Sequence, residues 1–229
     1  MINANLSAFS VGKAVGRSGA KSWRYSGTSF SIGNNSQGAA WDGTNFYVAS
    51  GQFRTVVKYN ASGVEVGSFG VSSQDLTPHS GDFDGTHYWL VGKQTDALYK
   101  YTAAGAYTGT SFSVASQTTS VKGAAFDGTN WWVLGSTSAY KYTAAGVYAG
   151  TSFSIANEGF PYGITWDGSS FWVIFSNKKV HQYDASGNYT GQNFSTASEV
   201  TVGWGIVSEG SNLWVVGNSN NKLLKYVFS

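Results

Sequence analysis

The residues able to do chemistry are few, and their spacing argues against most of it. Asp75, His79, Asp82 and His87 form the one grouping of metal-ligand types. Calcium asks for roughly six to eight oxygens and zinc for a tight set of His or carboxylate ligands. Neither spacing is present, so no metal is expected. The tempting carboxylates are Asp42, Asp84, Asp127, Asp167 and Glu209, which lie 42, 43, 40 and 42 residues apart. Acids that return at near-constant intervals mark turns. A glycosidase needs two carboxylates roughly 5–10 Å apart. Two positions before each repeated acid stand Ala40, Asp82, Ala125, Thr165 and Val207. Only one of these is a carboxylate, so no catalytic residue and no cofactor are assigned, and the chain reads as a non-enzyme. Lys21-Ser22 faintly suggests a phosphate loop, but Ala20 and Val15 occupy the places that need glycine. Lys58, Lys100, Lys141 and Lys225 also recur, with Gln182 breaking the series. A ring of lysines can meet phosphate. The ordinary account is a solvent-facing lysine whose stem covers apolar surface.

The elements that must position these residues come from the same repetition. Trp41-Asp42-Gly43-Thr44-Asn45-Phe46-Tyr47-Val48 returns at Phe83–Leu90, Phe126–Val133, Trp166–Val173 and, degraded, Ser208–Val215. Periods of this length indicate a solenoid, a propeller or an array. Each repeat divides into four short segments. The first ends at Asp-Gly, a tight-hairpin signal in which both turn residues tolerate positive φ. The second, as in Phe46-Tyr47-Val48-Ala49, is apolar on consecutive positions, as a strand covered on both faces should be. The third ends in an aliphatic-x-Lys-Tyr pattern such as Val57-Lys58-Tyr59, and the fourth is clearest in Tyr107–Ser113. Four strands per repeat describe a propeller blade. Tyr25–Ser31 matches the fourth segment without a preceding triplet, and the chain stops after the third segment of the fifth repeat. The count is twenty strands. The expected fold is therefore an all-β, five-bladed propeller over residues 23–229, closed by an N-terminal strand that completes the last blade. A straight β-solenoid, the main rival, would need capped ends.

The pattern Gly-x-x-Trp-Asp-Gly-x-x-Phe/Leu-Trp-Val, followed by the Lys-Tyr strand, resembles NHL-type and related lyase- and lactonase-like bacterial propellers. The resemblance covers residues 23–229 repeat by repeat. It implies blade architecture and says little about activity. Members of that group usually carry more than five blades, so this chain departs from them.

Agreement among internal copies separates scaffold from variable surface. The Asp-Gly turns and the turns after the third segments agree closely, and they share one end of the ring. The other end carries the divergent connections. Five residues before each repeated acid stand Gln37, His79, Lys122, Tyr162 and Trp204. These should ring the channel mouth on the variable face. With Asn157, Glu158, Phe53 and Arg54 they form the candidate ligand site. Tyr162 and Trp204 would stack on a sugar ring, while Gln37, His79, Asn157 and Glu158 would supply hydrogen bonds. The plainer account is that these loops have drifted.

Composition narrows the partners. A net charge of +2 gives no reason to expect nucleic acid. No apolar run approaches the roughly 18 residues of a membrane span, so no membrane insertion is expected. Met1–Asn5 lacks the start of a secretory signal. Residues 1–22 carry Lys13, Arg17 and Lys21 with no acid. They read as a basic, Gly/Ser-rich arm for neighbouring subunits. The expectation is a surface protein of a larger assembly, such as a phage capsid, tail or fibre. It would lie on the virion surface or outside the cell, with its variable face toward a glycan or a cell-surface receptor. A free-standing lectin is the alternative, and a lyase- or lactonase-like enzyme is third.

Overall fold

A computed structural model describes residues 21–155 and 159–229. Strand β1 (Trp23–Ser31) stands apart from its sequence neighbours. Blade one is β2 (Ser36–Trp41), β3 (Asn45–Ser50), β4 (Thr55–Asn60) and β5 (Glu65–Gly70). Blade two is β6 (Pro78–Phe83), β7 (Tyr88–Gly92), β8 (Ala97–Tyr101) and β9 (Tyr107–Ser113). Blade three is β10 (Gly123–Phe126), β11 (Asn130–Leu134), β12 (Ser138–Thr143) and β13 (Tyr148–Ser154). Blade four is β14 (Pro161–Trp166), β15 (Phe171–Phe175), β16 (Lys179–Tyr183) and β17 (Tyr189–Ser195). Blade five is β18 (Gly203–Glu209), β19 (Asn212–Gly217) and β20 (Lys222–Phe228), and β1 adds to it as the outermost strand. Trp23 pairs with Phe228, and Ser31 with Lys222. The first and last described strands thereby share one antiparallel ladder.

Burial follows radius. The second strands β7 and β15 are buried at every residue because a neighbouring blade covers each face. The outermost β5 and β9 are almost wholly exposed. The innermost strands touch in a cycle, β2 to β6 to β10 to β14 to β18 and back to β2. They meet at Gly38, Ser80, Gly123, Gly163 and Gly205. A Cβ on Gly38 would lie 2.5 Å from the Ser80 Cβ, and one on Gly205 would lie 2.7 Å from the Gly38 Cα. That crowding admits almost no side chain, so it forms a waist with a mouth on either side.

The repeated acid does more than turn the chain. In blade three, Asp127 Oδ1 accepts the backbone N–H groups of Thr129 (2.9 Å) and Asn130 (2.7 Å). Its Oδ2 accepts the indole N–H of Trp132 at 2.8 Å. Asp84, Asp167 and Glu209 hold Trp89, Trp172 and Trp214 in the same way. The turn itself differs from expectation. Gly43 has φ 94°, but Asp42 keeps negative φ and its N–H donates to Asn45 O at 3.2 Å. The carboxylate's grip on the following amides, rather than a left-handed aspartate, shapes the loop.

The repeated lysines also differ from the expected solvent-facing residues. Each lies half-buried across the ladder from the ring on the second strand. Nζ stands over Tyr47 (4.8 Å), Trp89 (5.4 Å), Trp132 (5.5 Å) and Trp214 (5.3 Å) for Lys58, Lys100, Lys141 and Lys225. The cation–π contact holds each ammonium against the sheet, and Asp84 and Glu209 add an ion pair to Lys100 and Lys225.

Candidate functional site at the channel mouth

The mouth on the variable face is built by the first residues of the innermost strands. Gln37 lies on β2, His79 on β6, Tyr162 on β14 and Trp204 on β18, while Lys122 immediately precedes β10. Tyr162 stacks on Trp204 at 5.6 Å with the planes 14° apart, and His79 lies 6.2 Å from the same indole at 29°. A cavity of about 400 Å³ opens beside them, with Gln37, Gln52, Thr77, His79, Lys93 and Trp204 in its wall. Gln37 is fixed by donating its amide to Asn35.

His79 is buried, and its Nδ1 has no hydrogen-bond partner. Burial, with the positive charges of Lys93 and Lys122 nearby, pushes its pKa down to about 3. The ring is therefore neutral at ordinary pH, and it contributes to the cavity wall as an uncharged ring. Burial followed by repulsion from Lys93 also lowers the Lys122 pKa.

The structure sorts the other sequence candidates. Phe53 and Arg54 sit in the β3–β4 turn, and the cavity is reached there by Gly51 and Gln52 instead. Phe53 is exposed, and Arg54 serves as a turn residue with φ 55° whose carbonyl accepts Val71 N–H at 2.9 Å. Asn157 and Glu158 lie outside the described residues. Lys93, which joins the site, stood in a divergent loop, but only the fold shows that it leans toward the axis. The grouping of Asp75, His79, Asp82 and His87 is not brought together. Asp75 is buried and ties its loop to Thr77 and Thr95. His87 lies beside Asp84 on the opposite face. Among the described residues no cluster of three or more His, Cys, Asp or Glu could hold a metal.

The face read as scaffold has a mouth of its own, about 360 Å³, walled by Trp41, Phe83, Phe126 and Trp166 with Asp82. Burial raises the Asp82 pKa to about 6. Its two oxygens accept the N–H groups of Phe83 and, across the blade boundary, Phe126, each at 2.9 Å. Thr165 at the equivalent position of blade four accepts Ser208 N–H at 3.0 Å. An uncharged residue thus does the same blade-to-blade work.

No protein-family model matches the sequence, and no curated protein does. Solved structures do match. Myxococcus xanthus glutaminyl cyclase superposes with TM-score 0.75 and 12% identity, over 92% of this chain and 97% of that one. The aldose sugar dehydrogenase of Streptomyces coelicolor, in its PQQ-bound form, gives 0.59 and 11%, over 91% and 98%. Virginiamycin B lyase from Staphylococcus aureus gives 0.53 and 11%, over 90% and 99%. The likeness is one of fold. All three are β-propellers, so the resemblance drawn from the repeats holds for architecture. At such identity it carries no activity across.

Proposed function

We propose that this chain is a non-catalytic recognition propeller, a surface component of a larger assembly such as a phage virion, whose variable-face mouth binds a glycan of a receptor. One observation carries the reading. Tyr162, Trp204 and His79 form a continuous run of stacked rings beside a cavity of about 400 Å³ that Gln37, Gln52 and Trp204 help to wall. Flat rings suit the apolar face of a sugar, while Gln37 and Gln52 suit its hydroxyls. Residues 1–20 are assigned to contacts with neighbouring subunits in the same assembly.

The solved neighbours are enzymes, but at 11–12% identity they share only the fold. Against catalysis, Asp82, the one innermost-strand acid with a raised pKa among the described residues, has both oxygens committed to backbone N–H groups, and Thr165 replaces it in blade four. A glycan array on the purified protein tests the proposal. We expect binding that Trp204→Ala weakens by about tenfold or more, as loss of a central aromatic anchor does, while thermal unfolding stays close to wild type. Absence of any glycan bound by the wild type would sink the reading, and so would turnover abolished by Asp82→Asn.

A further inference from the structure

Four blades set an ammonium over the ring that faces it across the ladder, and blade four does not. There Gln182 takes the lysine's place opposite Trp172. Among the described residues no cation stands over that indole. Asp167 is nevertheless in position, accepting the Trp172 N–H as its equivalents do. In blades two and five the lysine reaches the same carboxylate oxygen that accepts the indole. Lys100 lies 3.4 Å from Asp84 Oδ2, and Lys225 lies 2.9 Å from Glu209 Oε2. Blade four therefore retains the acid and the ring of this arrangement and lacks its cation.

Among the described residues it also lacks the cover. In blade one, the third-to-fourth-strand turn of the next blade closes over the lysine, with Ala103 O accepting Lys58 Nζ and Tyr47 OH, each at 3.0 Å. Blade five has no such turn among the described residues, because β1 rather than a continuation of β20 supplies its outermost strand, and Ser22 and Ser229 exchange backbone hydrogen bonds. Trp23 stands at that seam, edge-on to Trp172 at 5.0 Å and stacked on Phe194 at 5.5 Å, with Phe228 5.7 Å away. The result is a cavity of about 400 Å³ walled by Trp23, Asp167, Trp172, Gln182, Gln192 and Phe228.

We propose that this seam cavity is a binding site for an alkylammonium group. The cation sits over Trp172 beside Asp167, and its alkyl shell packs on Trp23 and Phe228. Aromatic walls with an adjacent carboxylate suit a quaternary ammonium best, because its charge is diffuse and weakly hydrated. Gln182 leaves the position open. Its Oε1 is engaged by Thr190 Oγ1 at 3.0 Å, and it carries no charge of its own. The site is independent of the channel mouth, so either proposal can fail without the other.

The test is calorimetric or NMR titration of the full chain with choline, with the amide of N-acetyl-lysine, and with the uncharged tert-butyl analogue of choline. We expect choline to bind about tenfold or more tightly than the uncharged analogue, with the lysine derivative between them. Gln182→Lys should abolish binding by supplying the tethered ammonium that the other blades carry. Trp23→Leu should weaken it while keeping an apolar contact with Phe194, and Trp204→Ala should leave it unchanged. Equal binding of the uncharged analogue, unchanged binding by a folded Gln182→Lys, or no choline binding at all would overturn the proposal.

Discussion

Two buried titratable side chains near the axis push stability in opposite directions with pH. His79 has its pKa depressed from 6.5 to about 3 in the folded protein. The unfolded chain thus binds a proton first, and stability falls as pH drops below about 6.5. Asp82 has its pKa raised from 3.8 to about 6. The folded chain then binds the proton first, so its stabilising contribution is full below about 3.8 and is lost as pH rises through about 6. Both contributions change between about pH 7 and pH 5 with opposite sign, so denaturant midpoints of the wild type and of a His79 variant at these two values separate them. We expect His79→Gln to lose less stability on acidification than the wild type. An unchanged pH slope would show that the imidazole protonates freely in the folded state.

At the scale of the element, the innermost strands are set by what they leave out. Gly38 faces Ser80 so closely that a methyl group would fall inside van der Waals contact with backbone as well as side chain. Neither neighbour is the far end of a flexible side chain, so the strands themselves must move. We expect Gly38→Ala to cost about 2–4 kcal/mol, read from urea unfolding. A cost near zero would mean that the waist is looser than the packing shows. The same crowding divides the channel, which is why one ring of strands presents two separate mouths.

For the whole molecule, closure places a chain seam at the outer edge of blade five. The ladder of β1 on β20 begins at Trp23, so removing residues 1–20 leaves every described strand intact. We expect such a truncation to fold with unchanged far-ultraviolet circular dichroism while losing the ability to assemble, measured by light scattering. Assembly that survives the truncation would remove the arm from the proposed contacts. The break in the lysine series, at Gln182, falls beside this seam.

Strand number, blade number and the joining of the chain ends were legible in the sequence. Each repeat occupies an equivalent environment, so burial imposes the same residue types on every copy, and the incomplete first and last copies complement each other. The repeated acid was legible as a turn residue, but its bond to an indole five positions later was not. Neither were the lysines' seats over those rings, which depend on strand register. Gln37, His79 and Trp204 could be placed at one mouth from their common offset. Phe53 and Arg54 could not be told from Gln52 and Lys93, because inclination toward the axis is a matter of loop geometry. The second mouth and the seam cavity were decided only by tertiary structure: a sequence records spacing along the chain, whereas convergence on an axis and the loss of a covering turn arise between blades.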